Sequence, residues 1–420
     1  MRPMTLLSPR RRKLGILWTL YFVQGLPFGF QATALPVHLR GAGTSLSVIG
    51  FATALSLPWM LKIFWAPLVD RFGSIEKGKR RSWILPLQGC LIVTCAAAAW
   101  TPPGERLGLL LGLVLMMNLF AATLDVAVDG LAVDLLERSE LGRGNIAQVV
   151  GYKMGMLIGG GVLLWASGWI GWAGLFLVMA ALIAATLPVS FLFQENRWMK
   201  GTGAGSIHEH ATIGAVLTNL KRALTHRGAG WLLLFIATYK LGESMADTMF
   251  KPFLVDAGYS PQQIGLWVGT WGMLFSILGS YSGGYLASRI RLVDALAITA
   301  ALRALPVAGE WWLSVVAPSE AKVIAVTCAE HFFGGALTTA LFAFMMSRVN
   351  KKIGATHYTL LAAIEVWGKQ PAAWISGVIT QHTSYVFIFA LATVLSVAFL
   401  ALLVPIRRHR GQETNGSSSP

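Results

Sequence analysis

Apolar residues in this chain come in long continuous runs, not in the alternation of a strand or the one-sided stripe of a surface helix. Twelve runs of about the length that crosses a hydrocarbon layer follow one another with short polar breaks. They span 14–39, 46–69, 82–100, 107–134, 145–168, 172–193, 229–257, 262–287, 293–315, 320–347, 354–380 and 384–405. The break at 168–172 is the weakest. Runs this long and unalternating predict helices, since a barrel strand would show shorter, alternating segments. The expected fold is an all-α integral membrane protein of twelve transmembrane helices in two six-helix bundles.

Composition agrees. Of 420 residues, 55% are hydrophobic and 13% charged, with mean hydropathy +0.61, where a soluble domain carries about a quarter charged residues. Arg10-Arg11-Arg12-Lys13 before the first run resembles the start of a signal peptide. The run is too long for one and no small-residue cleavage site follows, so a retained helix is expected. Cys90, Cys95 and Cys328 all lie in apolar runs and read as packing, not as a disulfide or metal framework.

A net charge of +15 raises the question of nucleic acid. Its distribution answers it. On the face that carries both termini fall 25 of the 34 basic residues, against four on the other (Arg40, Arg106, Lys251, Lys322) and five in the membrane. That bias is a topology signal placing the termini and central loop in the cytoplasm, with no nucleic acid partner. A bacterial inner membrane is favoured and a eukaryotic membrane is left open. Asn415-Gly416-Ser417 fits a glycosylation sequon, but the cytoplasmic placement argues against its use.

The longest connection divides the chain into an amino-terminal bundle (1–193), a cytoplasmic linker (194–228), a carboxy-terminal bundle (229–405) and a polar tail (406–420). The halves echo each other. Pro36 to Gly50 carries Gly43, Ile49 and Gly50, and Pro252 to Gly265 carries Gly258, Ile264 and Gly265 at the same spacing. Weak repeats of six helices mark transporters built from two similar halves, with the solute site expected between them near mid-membrane. Gly25 and Gly29, Gly155 and Gly159, and Gly279 and Gly283 are each four apart, a spacing that suits close helix packing. Pro27, Pro36, Pro58 and Pro67 predict broken helices at the first two spans.

Charge inside the runs is the most informative feature. Lys62, Asp125, Asp129, Lys153, Lys240, Glu243, Asp247, Arg303, Glu330, Glu365 and Lys369 all sit among apolar neighbours. A charge at that depth costs a few kcal/mol or more and marks a cavity or a solute path. Asp125 and Asp129 are four apart on one helix face, a place to share a proton, and Glu243 and Asp247 repeat the arrangement. These four are the candidate proton-coupling residues. Lys62, Lys153, Lys240 and Arg303 have few partners along their own helices and suit phosphate or carboxylate groups of a solute. Glu330, Glu365 and Lys369 join them as candidate substrate-binding residues. For Lys153, snorkelling to the surface is the alternative. Glu365 and Lys369 also have the spacing of an internal ion pair. Trp59, Trp65, Trp267, Trp271 and Trp367 are candidates to line the path, although aromatic residues are common at membrane interfaces.

Asp70-Arg71-Phe72-Gly73 with Lys79-Arg80-Arg81 resembles the loop signature of the major facilitator superfamily. The resemblance implies an inward gate latched by Asp70 with Arg71 and Arg80. It narrows with Gly25-Leu26-Pro27, with Leu57-Pro58-Trp59-Met60-Leu61-Lys62 running into Trp65-Ala66-Pro67, and with Asp125-Val126-Ala127-Val128-Asp129. Together these resemble the AmpG muropeptide permeases and the related acetyl-coenzyme A transporters. Tyr239-Lys240-Leu241-Gly242-Glu243, His331-Phe332-Phe333-Gly334-Gly335 and Ala355-Thr356-His357-Tyr358-Thr359 are similar to an orphan animal branch of that group, the domain-containing protein numbered three. Bacterial siderophore importers of the rhizobactin and pyochelin type are similar too. The resemblance implies a secondary transporter of an organic anion, coupled to protons or to exchange, and acting as a monomer in lipid.

Two other classes compete. A membrane acyltransferase or hydrolase would need a nucleophile motif, and no Gly-x-Ser-x-Gly or His-Glu-x-x-His is present. A non-transporting receptor would not need so many buried charges. There is no Gly-x-x-x-x-Gly-Lys-Ser/Thr loop, so an ATP-driven pump would need another subunit; no cofactor is expected.

Overall fold

The computed structural model describes residues 9–74, 78–102, 106–136, 140–193, 195, 229–348 and 354–406. Apart from Glu195 and Ile406, the expected linker and tail lie outside them. The twelve expected spans are all present as helices. The first, α1 (9–41), is α-helical over Pro9–Gly29 and Leu35–Gly41, with a wide π turn at Phe30–Ala34 between them. The second, α2 (46–71), is broken into five short pieces. Pro58 and Pro67 each open one of its α-helical pieces, and the tight 3-10 turn Lys62–Phe64 lies between those two. A missing N–H at each proline prevents one continuous hydrogen-bond ladder. Arg81–Ala99 forms α3 and Leu107–Leu135 forms α4.

Residues 141–170 form α5, with a π stretch at Leu157–Val162. Only Gly171 separates α5 from α6 (172–192). Its φ of 68° and ψ of −176° form a backbone position that favours glycine, which turns the weak break of the sequence into a kink between two spans. In the second half, α7 (229–256) is interrupted at Tyr239 and Lys240. Then come α8 (261–289), opened by a Ser260–Gln263 capping box, and α9 (Leu292–Val315). The last three are α10 (Glu320–Arg348), α11 (Gly354–His382) and α12 (Tyr385–Ile406).

Eight helical stretches among the described residues are long and apolar enough to cross a membrane on hydropathy alone. One of them, Ile146–Leu192, joins most of α5 to α6 through the kink. The spans this measure passes over are α1, α7 and α11. Four basic residues crowd the start of α1, the break at Tyr239 and Lys240 cuts α7 into helical pieces of 10 and 16 residues, and α11 carries charges in its interior.

Packing gathers the helices into two compact units. The first holds α1, α3–α6, α2 from Ala54 onward and the segment Tyr259–Thr270. The second holds α7, α9–α12, α8 from Trp271 onward and the segment Ser45–Thr53. Within the first unit, α1 lies against α5 backbone to backbone. In the second, α8 lies in the same way against α10. A Cβ on Gly25, Gly29, Gly155, Gly159, Gly279 or Gly283 would come within 1.9–2.4 Å of a facing backbone atom. The glycine spacing read from the sequence therefore marks close helix crossings.

Candidate functional site

Each unit holds a cluster of charges inside its bundle. In the first, the broken geometry of α2 places Lys62 against α4. Its ammonium pairs with Asp125 and lies 5.5 Å from the centre of the Trp59 ring. The tryptophans beside it are anchored on α4. Trp59 Nε1 donates to Asn118 Oδ1 at 2.9 Å, and Trp65 Nε1 donates to Thr123 Oγ1 at 3.2 Å. Phe28, Trp59 and Tyr152 pack edge to face or tilted, with ring centres 5.8–6.0 Å apart.

Asp129 is one turn beyond Asp125 and is held differently. The Tyr21 hydroxyl donates to its Oδ1 at 2.5 Å and Gln148 Nε2 donates at 3.4 Å. One cation thus serves Asp125 directly, while neutral donors serve Asp129. Lys62 is open to solvent over 30% of its side chain and Asp125 over 9%. Lys153 is half-buried on α5.

In the second unit the charges interlock across four helices. At the break in α7, Lys240 Nζ lies 3.6 Å from Glu365 Oε1 and 3.9 Å from Glu243 Oε1. Glu365 on α11 also accepts from Tyr239 Oη at 2.9 Å and from Lys369 Nζ at 3.0 and 3.1 Å. Arg303 on α9 is 3% exposed. Its Nε donates to Glu243 Oε2 at 3.2 Å and its Nη2 to Glu330 on α10. The other oxygen of Glu330 faces His331 Nδ1.

Arg303 has few partners on its own helix but two on its neighbours, a pairing that spacing along one helix cannot reveal. Three further residues of this cluster were missed by the sequence reading. Lys251, counted among the outer-face cations, is 4% exposed and donates to Asp247 Oδ1 at 2.5 Å. His331 and Glu310 also lie in it, the latter 2% exposed. The available signal was periodicity: Lys251 is four residues after Asp247, and Glu310 seven after Arg303.

At the gate signature, the side chain of Asp70 lies outside the described residues. Arg71 is exposed and stacks on Phe72 at 5.7 Å, while Arg80 is buried and its Nε donates to Asp134 on α4 at 3.1 Å. Glu195 accepts from the backbone N–H groups of Arg80 and Arg81 at 3.0–3.1 Å, holding the start of α3.

Opposed charges held inside bundles of membrane-spanning helices define a multi-pass membrane transporter. The Major Facilitator Superfamily matches residues 17–368, and the chain belongs to that family. It is 30% identical over 396 residues to the anhydromuropeptide permease of Escherichia coli (strain K12), an alignment covering 94% of this chain and 79% of the permease. The fold resembles that of the nucleoside transporter NupG, with a TM-score of 0.71 at 10% identity, over 94% of this chain and 99% of that one. A bacterial homolog of the human lysosomal transporter Spinster, in an inward-facing and occupied conformation, gives 0.67 at 14% identity, covering 96% and 98%. The chain is a secondary transporter. These relatives are permeases and transporters, and nothing among them supports an acyltransferase or hydrolase.

Proposed function

We propose that the chain carries an organic anion of the muropeptide class by alternating access, driven by protons, in a bacterial inner membrane with its termini in the cytoplasm. The observation that carries the coupling is the unequal treatment of two carboxylates one turn apart. Lys62 is bound to Asp125, while Asp129 is held by the neutral donors Tyr21 and Gln148. A carboxyl held by neutral donors can gain and lose a proton without breaking an ion pair. Glu243 and Asp247 are the further candidates for that role, and Asp70 with Arg71 and Arg80 for the gate. The anion's contacts are assigned first to Lys62 and Lys369, whose side chains are 30% and 25% exposed. Lys153, Lys240, Arg303, Glu330 and Glu365 complete the binding set, the buried members being reached as their internal pairs exchange. The sugar and peptide character comes from the anhydromuropeptide permease, and the anionic character from the lysine and arginine side chains inside the bundles.

Uptake into proteoliposomes, with and without an inward proton gradient, tests this. The panel is an anhydromuropeptide, acetyl-coenzyme A and a ferric siderophore. Gradient-driven accumulation of the anhydromuropeptide is expected, lost in Asp129→Asn while solute exchange persists. Full accumulation in Asp125→Asn, Asp129→Asn and the double variant would refute the coupling site. Transport of only a neutral or cationic solute would refute the anion.

A further inference from the structure

The second unit contains a carboxyl that the ion-pair ladder leaves out. Glu310 is 2% exposed, and among the described residues its Oε2 has no hydrogen-bond partner. Arg303 Nη1 is likewise buried and without one. The two residues are seven apart on α9, so they share a face, and side chains on a helix lean toward its N-terminus. Glu310 therefore leans toward Arg303, and the two act on each other electrostatically.

The charges that bear most strongly on Glu310 lie on three helices. On α7 these are Asp247 and Lys251, on α10 Glu330, and on α9 itself Arg303. The other helices packed against α9 are α8 and α12. α12 carries no charged residue, and α8 from Trp271 onward carries only Arg289 at its end. The cations are already engaged: Lys251 with Asp247, and Arg303 with Glu243 and Glu330. An ionised Glu310 would be a buried carboxylate with an unsatisfied oxygen, the costliest state such a group can take.

We infer that Glu310 is a proton-carrying residue of the transport cycle, neutral while Glu243 and Glu330 hold Arg303 and ionised when Arg303 turns Nη1 to it. In that exchange the Glu310 O–H bond breaks and its proton passes to water on the side of Asp247, whose side chain is 53% exposed. An Nη1–H to Oε2 hydrogen bond forms in its place, and the unit's charge falls by one as the proton leaves to water. Proton coupling itself rests on the reading above, but this site does not depend on Asp125 or Asp129, nor on the identity of the solute.

Infrared spectroscopy of the full chain in lipid, without solute, reads the proton directly. At neutral pH the parent and Glu310→Asp should show a protonated carboxyl C=O stretch that Glu310→Gln lacks. An unchanged spectrum in Glu310→Gln means an ionised Glu310 and overturns the proposal. In proteoliposomes Glu310→Gln should still exchange solute but no longer concentrate it, while Asp129→Asn leaves the Glu310 band in place. A neutral glutamine copies the protonated acid, so Glu310→Gln should fold as the parent does. Misfolding, or loss of exchange together with accumulation, also overturns the proposal.

Discussion

The two charged clusters differ in how they balance. Around Lys62, one ammonium bonds one of two neighbouring aspartates, and the other aspartate is served by a phenol and an amide. Around Arg303, cations and carboxylates from α7, α9, α10 and α11 alternate in contact, so most charges have opposite neighbours on another helix. A buried pair survives when further hydrogen bonds use its remaining lone pairs and protons. The second cluster largely meets that condition, and it ties four helices together. The first leaves a carboxyl whose charge no direct contact fixes. On the proposed reading the second cluster holds helices in register and the first changes its protonation, with Glu310 giving the second cluster a mobile charge.

The sharpest way to break this contrast is to remove the central cation of each. Arg303→Met would leave Glu243 and Glu330 buried without their partner, a loss of roughly 3–5 kcal/mol by the usual cost of breaking a buried pair. Denaturant unfolding in detergent should show it, and adding Glu330→Gln should recover part of the loss. Lys62→Met should cost less, about 1–2 kcal/mol, because the pair is partly open to solvent. Transport should nevertheless fail in Lys62→Met. Equal destabilisation by the two substitutions would mean that the clusters are built alike.

Much of this was legible in the sequence, for identifiable reasons. Continuous apolar runs fixed the spans, glycines four apart marked where α1 meets α5 and α8 meets α10, and the α2 prolines foretold its broken path. Spacing along one helix found the Glu365–Lys369 pair, which is bonded at 3.0 and 3.1 Å. The same rule could not find Lys62–Asp125 or Arg303–Glu330, because those partners are 63 and 27 residues apart. Lys251 was misplaced because charge counting treats a cation near a span's end as a loop residue. Glu310 is not among the candidate site residues because it lies more than a turn from Arg303, five residues from the end of its span.

The smallest expected effect tests whether Asp129 is held by neutral donors at all. Tyr21 gives it a short bond of 2.5 Å from a buried phenol, while Gln148 gives a long one of 3.4 Å. Bond strength falls steeply with length and misalignment, so the phenol should carry most of the restraint. Tyr21→Phe removes one oxygen and leaves the ring packed in α1, at a cost of about 1 kcal/mol for the hydrogen bond lost. If that energy holds Asp129 in its coupling geometry, gradient-driven uptake should slow roughly fivefold, the factor equivalent to about 1 kcal/mol. Gln148→Leu should slow it by less than about twofold, since a marginal bond contributes little. The measurement is initial uptake rate in proteoliposomes, normalised to protein inserted, beside the rate of solute exchange, which neither change should move. A larger effect from Gln148→Leu than from Tyr21→Phe would show that the amide, not the phenol, positions Asp129. Equal loss of exchange and uptake would show that both residues only pack the bundle.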